Sequence, residues 1–174
     1  MRSKKLPYNT PTIGLWFHAD DDIRFLADFR HLLAGPPRFT PTSRLGYSGY
    51  PIGVIGDDIE IQFLHSPNEE DARRKWTERS RRLPENDAQL YVEIRDRDGF
   101  EARHLRAFAA LPFKNKVAFL KRGRFDVVAC PWAVEIDCPG GFVPDGVSLW
   151  EQTKALPHFD PEAWIRPTQG CSSN

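Results

Sequence analysis

The sequence predicts an α/β fold of three layers, in which a mostly parallel sheet includes one antiparallel hairpin and carries helices on both faces. Short apolar or alternating runs, typical of strands, alternate along the chain with longer segments whose apolar residues have helical spacing. Such alternation favours a parallel sheet covered on both sides. The 174 residues, 40% of them hydrophobic, suit one globular domain. We expect residues 1–137 to form this single α/β domain and residues 138–174 to form an irregular extension packed on it, with frayed last residues.

The first half of the chain predicts a strand, a helix and a hairpin. Residues 12–17 are an apolar run and predict a buried strand. The helix that follows begins near the acidic run 20–22 and ends at Gly35. Residues 38–51 contain many turn formers and predict a loop. Residues 53–55 and 59–64 predict two strands joined by a turn at Gly56.

The second half predicts two further helices and three further strands. Ser66, Pro67 and Glu69 match a capping box with proline at the first helical position, so a helix is predicted from there to about Leu83. Strands are predicted at 90–94, 117–120 and 126–134, with a helix at 102–111 between the first two. A short helix is expected near residues 149–156.

Composition narrows the function classes and the location. Lys plus Arg and Asp plus Glu are both 24, so a uniformly basic nucleic-acid binder is not predicted and we expect no nucleic-acid partner. The chain has no run of about 20 apolar residues, so we expect no membrane insertion. It also has no secretory h-region of about 7–15 apolar residues, and the expected location is the cytoplasm. Cys130, Cys138 and Cys171 match no common zinc spacing, and we predict reduced thiols and no metal site.

Polar residues follow several of the predicted strands. In open α/β sheets, ligands bind beyond the carboxyl ends of the strands, which is where these residues lie. His18 follows the first strand, His65 the hairpin, and Asp96 with Asp98 the strand at 90–94. We therefore predict His65, Asp96 and His18 as catalytic residues and Asp98 as a binding residue. His65 is the sharpest candidate, because an imidazole before a helix N-terminus acts as a general base or helps to hold an anion.

Each of these candidates also has a structural alternative. His65 equally suits a packed strand–helix corner, and Asp96 with Asp98 suits either a cation site or a solvated turn, of which the turn is favoured. Arg79 is predicted to bind a phosphate or carboxylate, although pairing with the helix dipole explains it as well. Neither standard glycine-rich phosphate loop is present, and no cofactor is assigned.

Several phrases of the chain together resemble a bacterial family known as domain of unknown function 1919. The phrases are 6–15, 50–53, 61–65, the helix with Trp76, Arg79 and Arg82, 96–99, and 115–117. The resemblance covers about residues 6–125, and from its phrases we take Asn9 and Lys116 as further binding candidates. It also implies an extra N-terminal strand, which we expect this sequence to lack, either because the start codon lies further upstream or because this is a shortened member of the family.

The resemblance implies a role in the synthesis of exopolysaccharide or capsule. Our first hypothesis is therefore a glycan-modifying enzyme or transferase that acts on a glycan or an activated sugar precursor. The alternative is a non-catalytic interaction protein of the same pathway, inactive because the N-terminal element is missing. A missing strand leaves an exposed sheet edge, where we expect a protein partner.

Overall fold

The computed structural model of the chain describes residues 11–128, 130–144 and 146–165. The chain divides into two compact units, Met1–Glu85 and Asn86–Asn174, which we call the N-terminal and C-terminal units. The mixed α/β content is confirmed, but the described strands form two three-stranded sheets instead of the single, mostly parallel sheet predicted. The three-layer arrangement and the domain boundary at residue 137 stay predictions.

The N-terminal unit begins its regular structure with two short helices, α1 (Ala19–Ala27) and α2 (Phe29–Ala34). The sequence predicted one helix here. The helix is interrupted at Asp28, whose φ of −139° and ψ of 35° are not helical. Of the apolar residues at helical spacing, Leu32 and Leu33 are buried in the core of the unit. The others are half-buried: Ile23, Leu26 and Phe29. Phe25, which the spacing did not mark, is buried with Leu32 and Leu33.

The sheet of the N-terminal unit is antiparallel, in the order β1 (Arg38–Thr40), β2 (Ile52–Ile55) and β3 (Ile59–Gln62). The predicted hairpin is confirmed, with Ile55 opposite Ile59 across the turn. Strand β1 lies within the segment that was predicted to be a loop. Ile61 is fully buried, and the alternating Glu60 and Gln62 are buried as well, at 7% and 1% exposure, so β3 has no wetter face.

The strand predicted at residues 12–17 does not form. Residues 11–14 are a turn, in which the Leu15 N–H donates to the Thr12 carbonyl at 3.0 Å. Gly14 has a φ of +71°, a conformation that interrupts any extended run. Only Trp16 pairs, in an isolated antiparallel bridge with Gln62.

Helix α3 (Glu69–Ser80) follows the hairpin and begins later than predicted. Its N-cap is Asn68, whose side-chain oxygen accepts from the Asp71 N–H at 2.9 Å. Ser66 is not the cap, because its hydroxyl donates to the Asp71 carboxylate, while its N–H donates to the Phe63 carbonyl and closes a turn before the helix. Arg82 lies beyond the end of the helix and is exposed.

Substitution of the N-cap residue tests directly where this helix begins. Asn68→Ala is expected to lower the free energy of unfolding by about 0.5–2 kcal/mol, because the Asp71 N–H loses its acceptor. Equilibrium unfolding in urea measures the effect, with Glu70→Ala as the exposed control next to the cap. An unchanged transition midpoint for Asn68→Ala would remove the capping role.

The C-terminal unit contains a parallel sheet in the order β4 (Tyr91–Arg95), β5 (Asn115–Lys121) and β6 (Ala133–Ile136). A 3-10 turn, Asp87–Gln89, precedes β4, and helix α4 (Ala102–Ala110) connects β4 to β5, as predicted. The strand predicted at 126–134 is wrong over most of its length. The Cys130 N–H donates to the Val127 carbonyl in a turn, and Pro131, which has no N–H, precedes β6.

The segment after β6 contains helices α5 (Gly146–Lys154) and α6 (Pro161–Trp164). Val143 and Leu149 are buried against one side of the parallel sheet, where they contact Val117 and Ile136. The residues described beyond 138 are therefore packed and partly helical. None of the helices described is long and apolar enough to cross a membrane.

Candidate functional site

A pocket of about 200 Å³ in the N-terminal unit brings together three separate segments of the chain. We call it the His65 pocket. Its lining comes from the turn before Trp16, the end of the hairpin and one side of α3: Pro11, Ile13, Gly14, Leu15, Phe63, His65, Ser66, Lys75, Trp76 and Arg79. Each of these segments belongs to a phrase on which the family resemblance was based.

The rim of the pocket is cationic and its floor is apolar. His65 is exposed at the rim, whereas Lys75 and Arg79 are half-buried. Phe63 and Trp76 are each only 1% exposed and form the floor. The indole N–H of Trp76 donates to the Gly35 carbonyl at 2.9 Å, so its polar atom is already paired.

Arg79 reaches this pocket although it lies near the C-terminal end of α3. Side chains on a helix lean toward its N-terminus, which directs both Lys75 and Arg79 back toward His65. The Arg79 guanidinium donates to the Ile13 carbonyl at 2.5 Å, and the Lys75 ammonium donates to the His65 carbonyl at 2.9 Å. These two bonds hold the turn and the end of the hairpin against the helix.

Gly14 packs directly on the imidazole of His65. A Cβ atom at this position would lie 3.0 Å from Cδ2 of the ring, and the positive φ independently disfavours a side chain. The turn therefore fixes one face of the imidazole. This contact is compatible with a catalytic His65 and also with a His65 that only packs at the strand–helix corner.

Asp71 holds Lys75 in place from the outside of the pocket. Its carboxylate lies 2.7 Å from the Lys75 ammonium and 2.7 Å from the Arg74 guanidinium. Lys75, more than Arg74 and the Ser66 hydroxyl, lowers the pKa of Asp71 to about 2. Asp71 is therefore ionised throughout the neutral range, and Lys75 stays anchored.

A second polar cluster in the N-terminal unit was not predicted as a site. Asp21 is 1% exposed and pairs with Arg44, whose backbone N–H also donates to Glu60 at 2.8 Å. Ser43 donates to the other oxygen of Glu60 at 2.7 Å. Burial raises the pKa of Asp21, and the hydrogen bond from Arg44 opposes that shift. Glu60 is only 7% exposed within this cluster.

His18 occupies the N-cap position of α1 and does not line the His65 pocket. Its Nδ1 lies 3.8 Å from the Asp20 carboxylate, and its side chain is 26% exposed. Asn9 lies outside the described residues. The structure therefore brings together His65 and Arg79 and leaves His18 apart from them.

The two predicted aspartates belong to the C-terminal unit, and both carboxylates contact arginines. Asp96 is 1% exposed, pairs with Arg124 and accepts from the Lys121 N–H at 3.2 Å. Asp98 accepts from Arg97 at 2.8 Å and has a φ of 54°, as in the turn alternative. Among the described residues, no three His, Cys, Asp or Glu side chains group as they would around a metal ion. A shared site with His65 stays a prediction.

The ammonium of Lys116 binds backbone carbonyls at the C-terminal end of α4. It donates to the carbonyls of Phe108, Ala109 and Leu111 at 3.0, 2.8 and 2.7 Å. Three donors on three backbone carbonyls match the three N–H groups of a lysine. The geometry is that of a helix C-terminal cap, and the binding role stays a prediction.

Comparison with known proteins gives a family and a relative. The model of the family described as domain of unknown function (DUF1919) matches residues 1–129. A protein of Haemophilus influenzae, described as an uncharacterized protein, is 34% identical over 113 residues, which are 65% of this chain and 52% of the relative. The match thus spans about half of the relative's length. Since the family model covers well over half of the chain, the chain belongs to the family of domain of unknown function 1919.

Proposed function

We propose that this protein binds a glycan or an activated sugar precursor in the His65 pocket and modifies it or transfers a sugar from it, in the synthesis of exopolysaccharide or capsule. The observation that carries the proposal is the meeting of His65, Lys75 and Arg79 over an apolar floor. Sugar ligands combine apolar ring faces with polar or anionic groups, and a pocket of mixed lining suits both.

His65 is the residue proposed to move a proton. It lies at the exposed rim, where a bound substrate reaches it, and Gly14 supports one side of the ring. Arg79 and Lys75 orient the ligand through charge. Asp96 and His18 remain candidate catalytic residues, and Asp98, Asn9 and Lys116 remain candidates for binding.

The test is binding and turnover with three ligand classes: a neutral oligosaccharide, an oligosaccharide that contains uronic acid, and a nucleotide-activated sugar. We expect calorimetry to detect binding of at least one class and mass spectrometry to detect its modified product. His65→Gln is expected to retain binding and lose turnover, whereas Arg82→Ala, an exposed arginine outside the pocket, keeps both. Failure of all three classes to bind, or a fully active His65→Gln, contradicts the proposal.

The interaction-protein alternative has one observation in its favour. The parallel sheet of the described residues has only three strands, so β4 and β6 each have a single strand neighbour. An edge strand of this kind accepts a strand from a partner protein. This alternative predicts no ligand in the His65 pocket and a stable complex with another protein of the pathway.

A further inference from the structure

We propose that the group held in the His65 pocket is a phosphate monoester, so that the ligand is a sugar phosphate and not a neutral glycan. This inference rests on the proposed function and assigns its substrate class. It is drawn from the charge, the size and the hydrogen-bond donors of the pocket.

The charge of the pocket favours an anion. Among the described residues, those that line it include a lysine, an arginine and a histidine but no aspartate or glutamate. Asp71 offsets the charge of Lys75 from outside. Arg79 donates to a backbone carbonyl instead of a carboxylate, so its positive charge remains for a ligand.

The volume of the pocket suits one terminal group of a ligand better than the whole ligand. Pockets that enclose a ligand of drug size have volumes of about 300–1,000 Å³, whereas this one has about 200 Å³. A phosphate therefore occupies the pocket and leaves the sugar ring at the rim, next to the exposed His65. The buried rings of Phe63 and Trp76 keep water from the floor, which strengthens the attraction between the cations and the phosphate.

The donors of the pocket match the oxygens of a phosphate. Arg79 has a planar fork of five N–H groups, and such a fork binds phosphate through two parallel hydrogen bonds. Lys75 has three N–H donors, of which His65 and Asp71 take two, which leaves one for a ligand. A phosphate monoester offers oxygens for both side chains at once.

The test is calorimetry with inorganic phosphate, glucose 1-phosphate, glucuronate and glucose. We expect both phosphates to bind, to compete with each other and to bind more tightly than glucuronate, and we expect glucose to bind weakly. Arg79→Ala is expected to weaken phosphate binding by about tenfold or more, which is the effect of a charged hydrogen bond. Arg79→Lys should recover only part of the loss, because the charge returns without the fork. Arg82→Ala is the matched control and should bind as the wild type does.

The outcomes separate this inference from the proposed function. Binding of glucuronate or of a neutral oligosaccharide without binding of either phosphate overturns the phosphate assignment and leaves the glycan proposal standing. Phosphate binding unchanged in Arg79→Ala also overturns the assignment. If neither the phosphates nor the three ligand classes of the proposed function bind, both proposals fail. Because Arg79 also holds the turn at Ile13, circular dichroism of each variant confirms folding, and Lys75→Met provides a second variant with the same expected direction.

Discussion

Trp76→Ala is expected to lower the free energy of unfolding by about 3–5 kcal/mol, the usual cost of deleting a large buried aromatic side chain. Trp76 is 1% exposed, and its ring lies between those of Phe25 and Phe63, with centroids 6.4 and 6.3 Å away. The change leaves a cavity among these rings and removes the donor of the Gly35 carbonyl. A loss of this size is a large share of the total stability of an ordinary domain, about 5–15 kcal/mol.

Urea unfolding followed by far-ultraviolet circular dichroism measures the effect without relying on tryptophan fluorescence. Tyr47→Ala is the control, because it deletes an aromatic ring that is 45% exposed in the same unit. Trp76→Phe is expected to fall between the wild type and Trp76→Ala. Equal midpoints for Trp76→Ala and Tyr47→Ala would mean that Trp76 is not the centre of the core.

Arg44→Ala is expected to lower the free energy of unfolding by about 3 kcal/mol, because the buried Asp21 carboxylate loses its hydrogen-bonded arginine and keeps Arg24 as its cationic partner, 3.7 Å away. The value is at the low end for a broken buried pair, since the side chain of Arg44 is 39% exposed. The hydrogen bond from the Arg44 backbone to Glu60 survives the change. The control is Arg122→Ala, which loses a pair with the exposed Asp137 and should leave the free energy of unfolding nearly unchanged.

The stability difference between Arg44→Ala and the wild type should change with pH in a defined direction. Burial raises the pKa of Asp21 above its ordinary value of 3.8, and the loss of Arg44 removes the strongest of the groups that oppose this rise, leaving the backbone at Glu60 and Arg24. A raised pKa means that the folded state binds the proton more readily than the unfolded state. The difference between Arg44→Ala and the wild type should therefore shrink as the pH falls toward that pKa. A difference that grows with acidification, or that Asp21→Asn fails to reduce in the double variant, contradicts the pairing.

The elements with strong local patterns were predicted from the sequence, and those decided by single residues were not. Alternation marked the hairpin, and helical spacing marked α4, since Phe108 is fully buried as expected. Gly14 and Pro131 each interrupted an apolar run that looked like a strand, because one adopts a positive φ and the other lacks an N–H. The start of α3 was missed because two cap residues stand close together and Ser66 is held in the turn.

The candidate site was predicted in part. His65 and Arg79 were both named from the sequence, and their proximity follows from the lean of helical side chains. Lys75 was missed, because nothing local distinguishes it from the other bases of α3. The Asp21–Arg44–Glu60 cluster was missed as well, because its members come from a helix, a loop and a strand far apart in the chain. These residues come together only when the unit folds.

The most direct test of the central claim, that the His65 pocket is the binding site, is a nuclear magnetic resonance titration of the labelled protein with inorganic phosphate. We expect the largest shifts at the Gly14 amide, the His65 ring, and the side chains of Lys75 and Arg79, and we expect them to saturate with a single dissociation constant. Shifts confined to the exposed arginines of α3, Arg73 and Arg74, or shifts that grow without saturation, would place phosphate on the helix surface and contradict the claim.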